Sequence, residues 1–181
     1  MVFEQLKAKF GEFYLIPEGG TNSLAIKGTM EILEQKDFRA DIICCSIGTG
    51  GTFAGLLATA KATQHVWGFS ALKGEFIHQE IERLLLENQI SPLCKYKIIS
   101  NFHFGGYAKF TQELIDFIQN FKSLTGIPLD PIYTGKMIYG LYELVKDGSI
   151  PEGSEILAIH TGGLQGIRGF NKKNDTQLSL S

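Results

Sequence analysis

The stretch Asp41-Ile-Ile-Cys-Cys-Ser-Ile-Gly-Thr-Gly-Gly-Thr52 decides the fold of this chain. Its first half is a continuous apolar run of strand length, which is typical of a parallel strand that is buried on both faces of a sheet. Its second half is a glycine turn, and residues 52–61 then have a helical pattern. A strand, a turn and a helix in this order predict the first part of a βαβ unit.

The alternation of strand and helix patterns continues on both sides of this stretch. Further strands are predicted at residues 13–16, 66–69, 96–99 and 155–160. Helices are predicted from a cap at Thr21, Asn22 or Ser23 to about residue 36, and over residues 75–88, 110–121 and 133–146. The fold class is therefore α/β, a three-layer α/β/α arrangement around a mostly parallel twisted sheet. One domain over residues 1–170 is expected, with a loose polar tail after it at 171–181.

The composition excludes several classes of protein. Lysines and arginines number 17 against 19 acidic residues, a net charge of −2, whereas a nucleic-acid binder led by electrostatics has a basic excess. No apolar run reaches the roughly 18–20 residues of a membrane span. The start, Met1-Val-Phe-Glu-Gln-Leu-Lys7, lacks the basic and apolar regions of a signal peptide. We expect a cytoplasmic protein with no nucleic-acid and no membrane partner.

The cysteines are too few and too unevenly placed for a disulfide framework. They number three, at positions 44, 45 and 94, and the two adjacent ones point to opposite faces of the predicted strand. Reduced, buried thiols are expected, and no spacing typical of a metal site occurs.

The glycine turn after the central strand is the clearest functional signal. Without Cβ atoms, Gly48, Gly50 and Gly51 allow backbone N–H groups to converge on an oxyanion. The start of the next helix adds partial positive charge, and the hydroxyls of Thr49 and Thr52 can donate to the same anion. The pattern favours a phosphate site, although a turn required only for tight packing is the alternative.

The residues on the C-terminal side of the glycine turn exclude two classes of phosphate ligand. A nucleoside triphosphate loop requires Gly-Lys-Ser/Thr, but here Phe53 comes directly after Thr52. A dinucleotide fingerprint requires G-x-G-x-x-G and an acid about twenty residues later; the last glycine is missing, and the next predicted strand ends at Phe69 and Ser70. A smaller phosphate remains, such as that of pyridoxal phosphate or a sugar phosphate.

Three further segments carry polar groups beside turns. A proline turn precedes Tyr133 and Thr134 at a helix start, and Tyr107 comes directly after Gly105 and Gly106 in a loop. A tyrosine offers a phenol for acid–base chemistry or an aromatic face, although packing alone would also explain either one. The segment His160-Thr-Gly-Gly163 ends the last predicted strand.

Taken in order, these segments resemble the C-terminal half of one family, 1-aminocyclopropane-1-carboxylate deaminase and D-cysteine desulfhydrase. These are pyridoxal-phosphate enzymes of the tryptophan synthase β fold type, and the resemblance extends to about residue 170. It rests on Ile16-Pro-Glu-Gly-Gly-Thr-Asn22, Ser46-Ile-Gly-Thr-Gly-Gly-Thr52, Gly105-Gly-Tyr107, Leu129-Asp-Pro-Ile-Tyr-Thr-Gly-Lys136 and Ile159-His-Thr-Gly-Gly163.

The resemblance implies a role for each matching residue. Residues 48–52 would hold the phosphate of pyridoxal 5'-phosphate, and Tyr133 and Tyr107 would be the catalytic tyrosines. Thr134 would bond the pyridine nitrogen, and residues 160–163 would close one side of the pocket. Deaminases of the family tend to carry glutamate where this chain has Thr134. A neutral threonine weakens the electron sink and fits the desulfhydrase branch better.

The implied function is a pyridoxal-phosphate-dependent β-elimination or deamination of a small amino acid, by an enzyme of the lyase or hydrolase class. The first candidate reaction converts D-cysteine to pyruvate, ammonia and sulfide. Two alternatives stay open: a 1-aminocyclopropane-1-carboxylate deaminase, and a non-catalytic module that binds a phosphate ligand.

One departure from the family concerns the lysine that forms the Schiff base. The family carries it upstream, in a Gly-Asn-Lys-x-Arg-Lys type of segment that precedes a serine–asparagine loop, and neither occurs in this sequence. Lys27 and Lys136 lie nearest to the motifs but at positions that the family does not use, so both are predicted to be structural. Residues 1–170 would then be the C-terminal part of an enzyme domain, with a homodimer or a complementing N-terminal half as partner.

Overall fold

A computed structural model describes residues 2–179, and the ordered elements of this part surround one parallel sheet. Its four strands have the order β3-β2-β1-β4. They are β1 (Ile42–Ile47), β2 (His65–Ser70), β3 (Lys95–Ile99) and β4 (Ile156–Ala158). The helices are α1 (Val2–Phe10), α2 (Ser23–Thr29), α3 (Gly51–Thr59), α4 (Phe76–Glu87), α5 (Gln112–Thr125), α6 (Thr134–Lys146) and α7 (Ile167–Asn174). The predicted α/β class with a mostly parallel sheet is confirmed.

Strand β1 lies inside the sheet, and helices cover its apolar side chains on both faces. Ile43, Cys45 and Ile47 belong to a core cluster with residues of α3 and α4. Ile42 and Cys44 point the other way, into a second cluster that includes Met137 of α6. Alternate residues of a strand face opposite sides of the sheet, so β1 separates two helical layers. Such a strand requires the continuous apolar run that the sequence shows.

Strand β1 has a parallel neighbour on each edge. Ile42 lies opposite His65 of β2 and Ile156 of β4. The amide of Asp41 donates to the carbonyl of Glu155 at 2.8 Å, and the amide of Glu155 donates to the Asp41 carboxylate at 2.8 Å. These two bonds fix the register of the first and last strands, whose carboxyl ends therefore meet at one edge of the sheet.

The strand predicted at residues 13–16 is wrong. This segment is irregular, and Tyr14, Leu15 and Ile16 are exposed. A strand needs a neighbour to accept its backbone hydrogen bonds, and among residues 2–179 no strand lies beside it. The prediction rested on local apolar content, which carries no information about a neighbouring strand.

The first predicted helix is shorter than expected, because α2 ends at Thr29. The hydroxyl of Thr29 donates to the carbonyl of Ile26 and also to that of Gly51, at 3.2 Å, which docks the end of α2 onto the start of α3. Asn22 is the cap among the three candidates, and its side chain accepts from the amide of Ala25 at 2.9 Å.

The loose tail predicted from Asn171 is wrong as far as Leu178. Helix α7 crosses the predicted boundary at residue 170, and Phe170 and Leu178 are both buried. The Asn171 side chain donates to the carbonyl of Leu178 and accepts from its amide. A single apolar residue in a polar segment therefore anchors it to the core.

The cysteines are free and buried. Burial raises the pKa of Cys44 to about 12 and raises the pKa of Cys45 further, so both thiols stay protonated at neutral pH. In the part of the chain that the structure covers, no helix has the length and apolar character needed to cross a membrane.

The packing of α3 against the sheet gives a direct stability test. Leu57 is fully buried in the first core cluster, whereas Leu86 on α4 is 81% exposed. We expect L57A to lower the free energy of unfolding by about 2–5 kcal/mol, through lost burial and a cavity. L86A should change it by less than about 0.5 kcal/mol. Urea denaturation measures both, and equal effects would contradict this assignment of the core.

Candidate functional site

A cavity of about 360 Å³ lies where the carboxyl ends of β1 and β4 meet. This is the place where open α/β sheets bind ligands. The lining residues come from four segments, and they are Gly19, Gly20, Thr21, Ala25, Thr29, Ser46, Gly48, Thr49, Gly50, Gly51, Thr52, Phe53, Tyr133, Thr161, Gly162, Gly163 and Gln165. The cavity thus contains the whole predicted glycine turn.

The glycine turn presents unbonded backbone donors to this cavity. Gly50, with φ +92°, caps α3 in the left-handed region that favours glycine. Among the described residues, no acceptor is found for the amides of Gly50, Gly51 and Thr52. A Cβ at Gly48 would lie 3.1 Å from the Tyr133 ring, which is a tight contact, so the absence of a side chain at Gly48 favours this close approach. The turn can bind an oxyanion through backbone N–H groups and the helix start.

Hydroxyl groups line a second wall of the cavity. The hydroxyls of Thr21 and Thr49 are hydrogen-bonded to each other at 2.6 Å. Gly19, in a short 3₁₀ turn, has no room for a Cβ, because it would overlap the Thr49 side chain. The segment before α2 is therefore packed directly against the glycine turn. No lysine or arginine is among the lining residues, so an anion here would be held by neutral donors.

The carboxylate of Asp130 organises the third wall. Its Oδ1 accepts from the amides of Ile132 and Tyr133 at 2.9 and 2.8 Å. Its Oδ2 accepts from the amide and the hydroxyl of Thr134 at 2.8 and 2.6 Å. Asp130 is only 3% exposed. One buried carboxylate thus satisfies the donors at the start of α6 and fixes the two predicted site residues there.

Tyr133 is held at the rim of the cavity beside Tyr107. Their ring centroids are 6.2 Å apart in an edge-to-face arrangement, a favourable geometry for aromatic pairs. Burial, with a further contribution from Tyr107, raises the pKa of Tyr133 to about 12. The phenol is therefore neutral at physiological pH and carries a proton that it can donate. Tyr107 itself is 58% exposed and is not among the lining residues.

Thr134 is placed differently from its neighbour. It is fully buried and does not line the cavity. Its hydroxyl donates to the Asp130 carboxylate and accepts from the Asp130 amide at 3.0 Å. Both hydrogen-bonding directions of this hydroxyl are used within the protein. A bond from Thr134 to a pyridine nitrogen stays a prediction.

Lys136 ties the loop that carries Tyr107 to α6. Its ammonium group donates to the carbonyls of His103 and Gly106, each at 2.8 Å, while the residue is only 1% exposed. Burial lowers the pKa of Lys136 to about 8, although the Asp130 carboxylate acts in the opposite direction. The lysine spans two chain segments and holds Tyr107 near Tyr133.

The last wall lies just beyond the end of β4. His160 accepts from the amide of Gly162 through Nδ1 at 3.1 Å, so its Nε2 carries the proton and donates to the carbonyl of Pro128 at 2.9 Å. Gly163 approaches the Asp130 carboxylate so closely that a Cβ would lie 3.2 Å from it. The turn of residues 161–163 therefore packs against the start of α6. It lines one side of the cavity, in the region where the resemblance placed residues 160–163.

The structure adds two residues that sequence reasoning did not single out. Asp130 precedes Pro131 just before α6, and an Asp-Pro turn before a helix is a sequence signal for a capping carboxylate. Ser46 lines the cavity, and among the described residues its buried hydroxyl has no hydrogen-bond partner. No sequence pattern reveals that a particular serine is unbonded.

The sequence model of the family described as "Pyridoxal-phosphate dependent enzyme" matches residues 2–162. The mitochondrial bifunctional D-cysteine desulfhydrase/1-aminocyclopropane-1-carboxylate deaminase of Arabidopsis thaliana is 36% identical over 183 residues. That match covers 91% of this chain and 45% of the relative.

The solved structures that are similar to this one include the following two. A structure described as an ACC deaminase homologue has a TM-score of 0.77 and 30% identity, over 94% of this chain and 55% of its own. The processed form of threonine deaminase isoform 2 from Solanum lycopersicum has a TM-score of 0.53 and 15% identity, over 94% and 52% respectively, and it shows the fold alone. The chain spans about half the length of these proteins.

The Asp130 cap predicts a large cost for its removal. D130A leaves three amides and one hydroxyl without their acceptor, so we expect a loss of about 2–4 kcal/mol in the free energy of unfolding. D116A is the control, since Asp116 is exposed on α5 and, within residues 2–179, accepts from the Gln112 side chain alone. It should cost less than about 0.5 kcal/mol. Chemical denaturation compares them, and a D130A protein as stable as D116A would refute the role of the cap.

The Lys136 tether predicts a local effect on the loop. K136M removes the donor to two carbonyls, so amide hydrogen exchange over residues 103–109 should become at least about tenfold faster. K146M, at the exposed end of the same helix, should leave those amides unchanged. Unchanged exchange in K136M would contradict the tether, and faster exchange throughout the chain would indicate general destabilisation instead.

Proposed function

The chain belongs to the family of pyridoxal-phosphate dependent enzymes, and we propose that it binds the phosphate and one side of the ring of that cofactor. We further propose that the reaction is β-elimination from D-cysteine, in which the α-proton and the Cβ–S bond are lost. With one water added, the products are pyruvate, ammonia and hydrogen sulfide. Because the chain covers only 45% of the Arabidopsis relative, the activity of the whole protein is part of this proposal.

The cavity carries this proposal because its donors match the cofactor's phosphate. The unbonded amides of Gly50, Gly51 and Thr52 lie at the start of α3, where a phosphate is stabilised by N–H groups and the helix dipole. The buried hydroxyl of Ser46 is also without a partner among the described residues. A volume of about 360 Å³ is within the range of small-molecule pockets.

Pyridoxal phosphate, when bound, supplies an electron sink for negative charge that develops at Cα of an amino acid. The residues of this chain have binding and proton-holding roles around it. Residues 50–52 would bind the phosphate, and Gly48 allows the Tyr133 ring to approach the glycine turn closely. The neutral phenol of Tyr133 holds a proton at Oη that it can pass to or share with a reacting group. Tyr107 packs against the Tyr133 ring in an edge-to-face arrangement.

A bond from Thr134 to the pyridine nitrogen, which the family resemblance implies, would support D-cysteine as the substrate. A neutral residue at the start of α6 favours a weaker electron sink than the glutamate that deaminases of the family tend to carry there. Elimination of a thiol needs less electron withdrawal than opening a cyclopropane ring. Deamination of 1-aminocyclopropane-1-carboxylate is the second candidate, because the Arabidopsis relative's name includes both activities and a similar structure is described as an ACC deaminase homologue.

The covalent link to the cofactor needs an amine that this cavity does not provide. No lysine is among its lining residues, and the ammonium of Lys136 donates to two carbonyls instead. We propose that the lysine comes from a complementing N-terminal half of the enzyme. A homodimer and a cytoplasmic location stay predictions.

The proposal is tested by comparing this chain with a chimera that begins with the preceding part of the Arabidopsis relative. With pyridoxal phosphate present, we expect the chimera to release sulfide from D-cysteine and this chain alone to bind the cofactor without turnover. Ammonia release from 1-aminocyclopropane-1-carboxylate measures the second activity, and we expect G48A, which crowds Tyr133, to lower both activities of the chimera.

Each result distinguishes one of the candidate functions. Sulfide release supports the first candidate, and ammonia release from the cyclopropane substrate alone supports the second. Saturable binding without turnover by either protein would indicate a non-catalytic phosphate-binding module. A failure of both proteins to bind pyridoxal phosphate would refute the proposed function.

A further inference from the structure

Ser46 has a hydroxyl group in an unusual position at the end of β1. The residue is 8% exposed, and among the described residues its Oγ has no hydrogen-bond partner. Every other buried side-chain polar atom in that part of the chain has a partner by the same criterion. Leaving a buried hydroxyl unbonded costs free energy in the folded state. The fold therefore retains a group that it does not need for its own stability.

The surroundings of Ser46 point to a ligand as the missing partner. Ser46 lines the cavity together with Gly48 and Tyr133. It lies on the same face of β1 as Cys44, since alternate residues of a strand share a face, and this face is covered by α6. Thr134, the other hydroxyl-bearing residue under the start of α6, is fully bonded to Asp130. Ser46 is thus a buried residue of the cavity lining whose hydroxyl has no partner among the described residues.

We infer that Ser46 is a further binding residue, whose hydroxyl hydrogen-bonds the pyridoxal-phosphate-type ligand held by residues 48–52. This inference rests on the proposed function and adds a contact outside the glycine turn. The unbonded hydroxyl lowers the stability of the protein without ligand and raises the affinity of the protein for that ligand. A residue kept only for packing would not show these two opposite effects.

Ser70 provides a matched control in the neighbouring strand. It ends β2, in register with Ile47, and is 3% exposed. Its hydroxyl donates to the carbonyl of Leu72 at 3.0 Å and accepts from the amide of Leu72 at 3.2 Å. Ser70 does not line the cavity. S70A therefore removes a buried serine hydroxyl of the same kind, but one that is bonded within the protein.

The test measures stability and binding for the wild type, S46A and S70A. Calorimetric titration uses pyridoxal 5'-phosphate as the probe, and urea denaturation is done without it. For S46A we expect an unfolding equilibrium constant about fivefold smaller than that of the wild type, and an affinity weaker by about three- to thirtyfold. For S70A we expect the reverse pattern, a larger unfolding constant and unchanged affinity.

The possible results separate this inference from the proposed function. If the wild type and S46A bind pyridoxal 5'-phosphate with equal affinity, the binding role of Ser46 is overturned and the proposed function is unaffected. S46A that is less stable than the wild type would also overturn it, because the hydroxyl would then have a partner in the empty protein. No binding of the cofactor by the wild type would overturn both.

Discussion

The carboxylate of Asp130 is the constraint on which the candidate site depends. It is buried, it receives four hydrogen bonds from the first residues of α6 and the turn before it, and it lies against Gly163 of the last loop. The hydrogen bond from the Tyr133 amide to this carboxylate places Tyr133. The hydrogen bond from the Thr134 hydroxyl to the same carboxylate turns Thr134 away from the cavity. Two of the cavity walls thus meet at one side chain. A buried negative charge is tolerated only when donors surround it in this way.

The central part of the fold could be predicted from the sequence because its determinants are local. The run of apolar residues at 42–47 can only be covered on both faces, and the glycine turn after it limits where the strand ends. Residues 13–16 have a similar apolar content, yet they form no strand. The difference lies in the neighbouring strands, which supply backbone partners in one case and not in the other. That information belongs to the tertiary structure.

The residues of the candidate site also differ in whether local sequence or tertiary structure determines their role. The glycine turn was predicted because its residue types stand out in the sequence, whereas the family resemblance implied the site roles of Tyr133 and Tyr107. The structure brings these residues together at one edge of the sheet. The role of Ser46 could not be predicted, and Lys136 was predicted to be structural but its bonding partners could not be. One depends on the absence of a hydrogen-bond partner among the described residues, and the other on bonds to carbonyls of a distant loop. Neither leaves a pattern along the chain.

The pairing of β1 with β4 has a consequence for how the protein is made. Asp41 and Glu155, which begin this pairing, are 114 residues apart. A ribosome adds about 5–20 residues per second, so β1, β2 and β3 are complete for several seconds before β4 emerges. During that interval one edge of the most apolar strand has no partner and can pair with another nascent chain. The interval between the completion of β3 and the arrival of β4 is thus the period in which this protein is most exposed to misassembly.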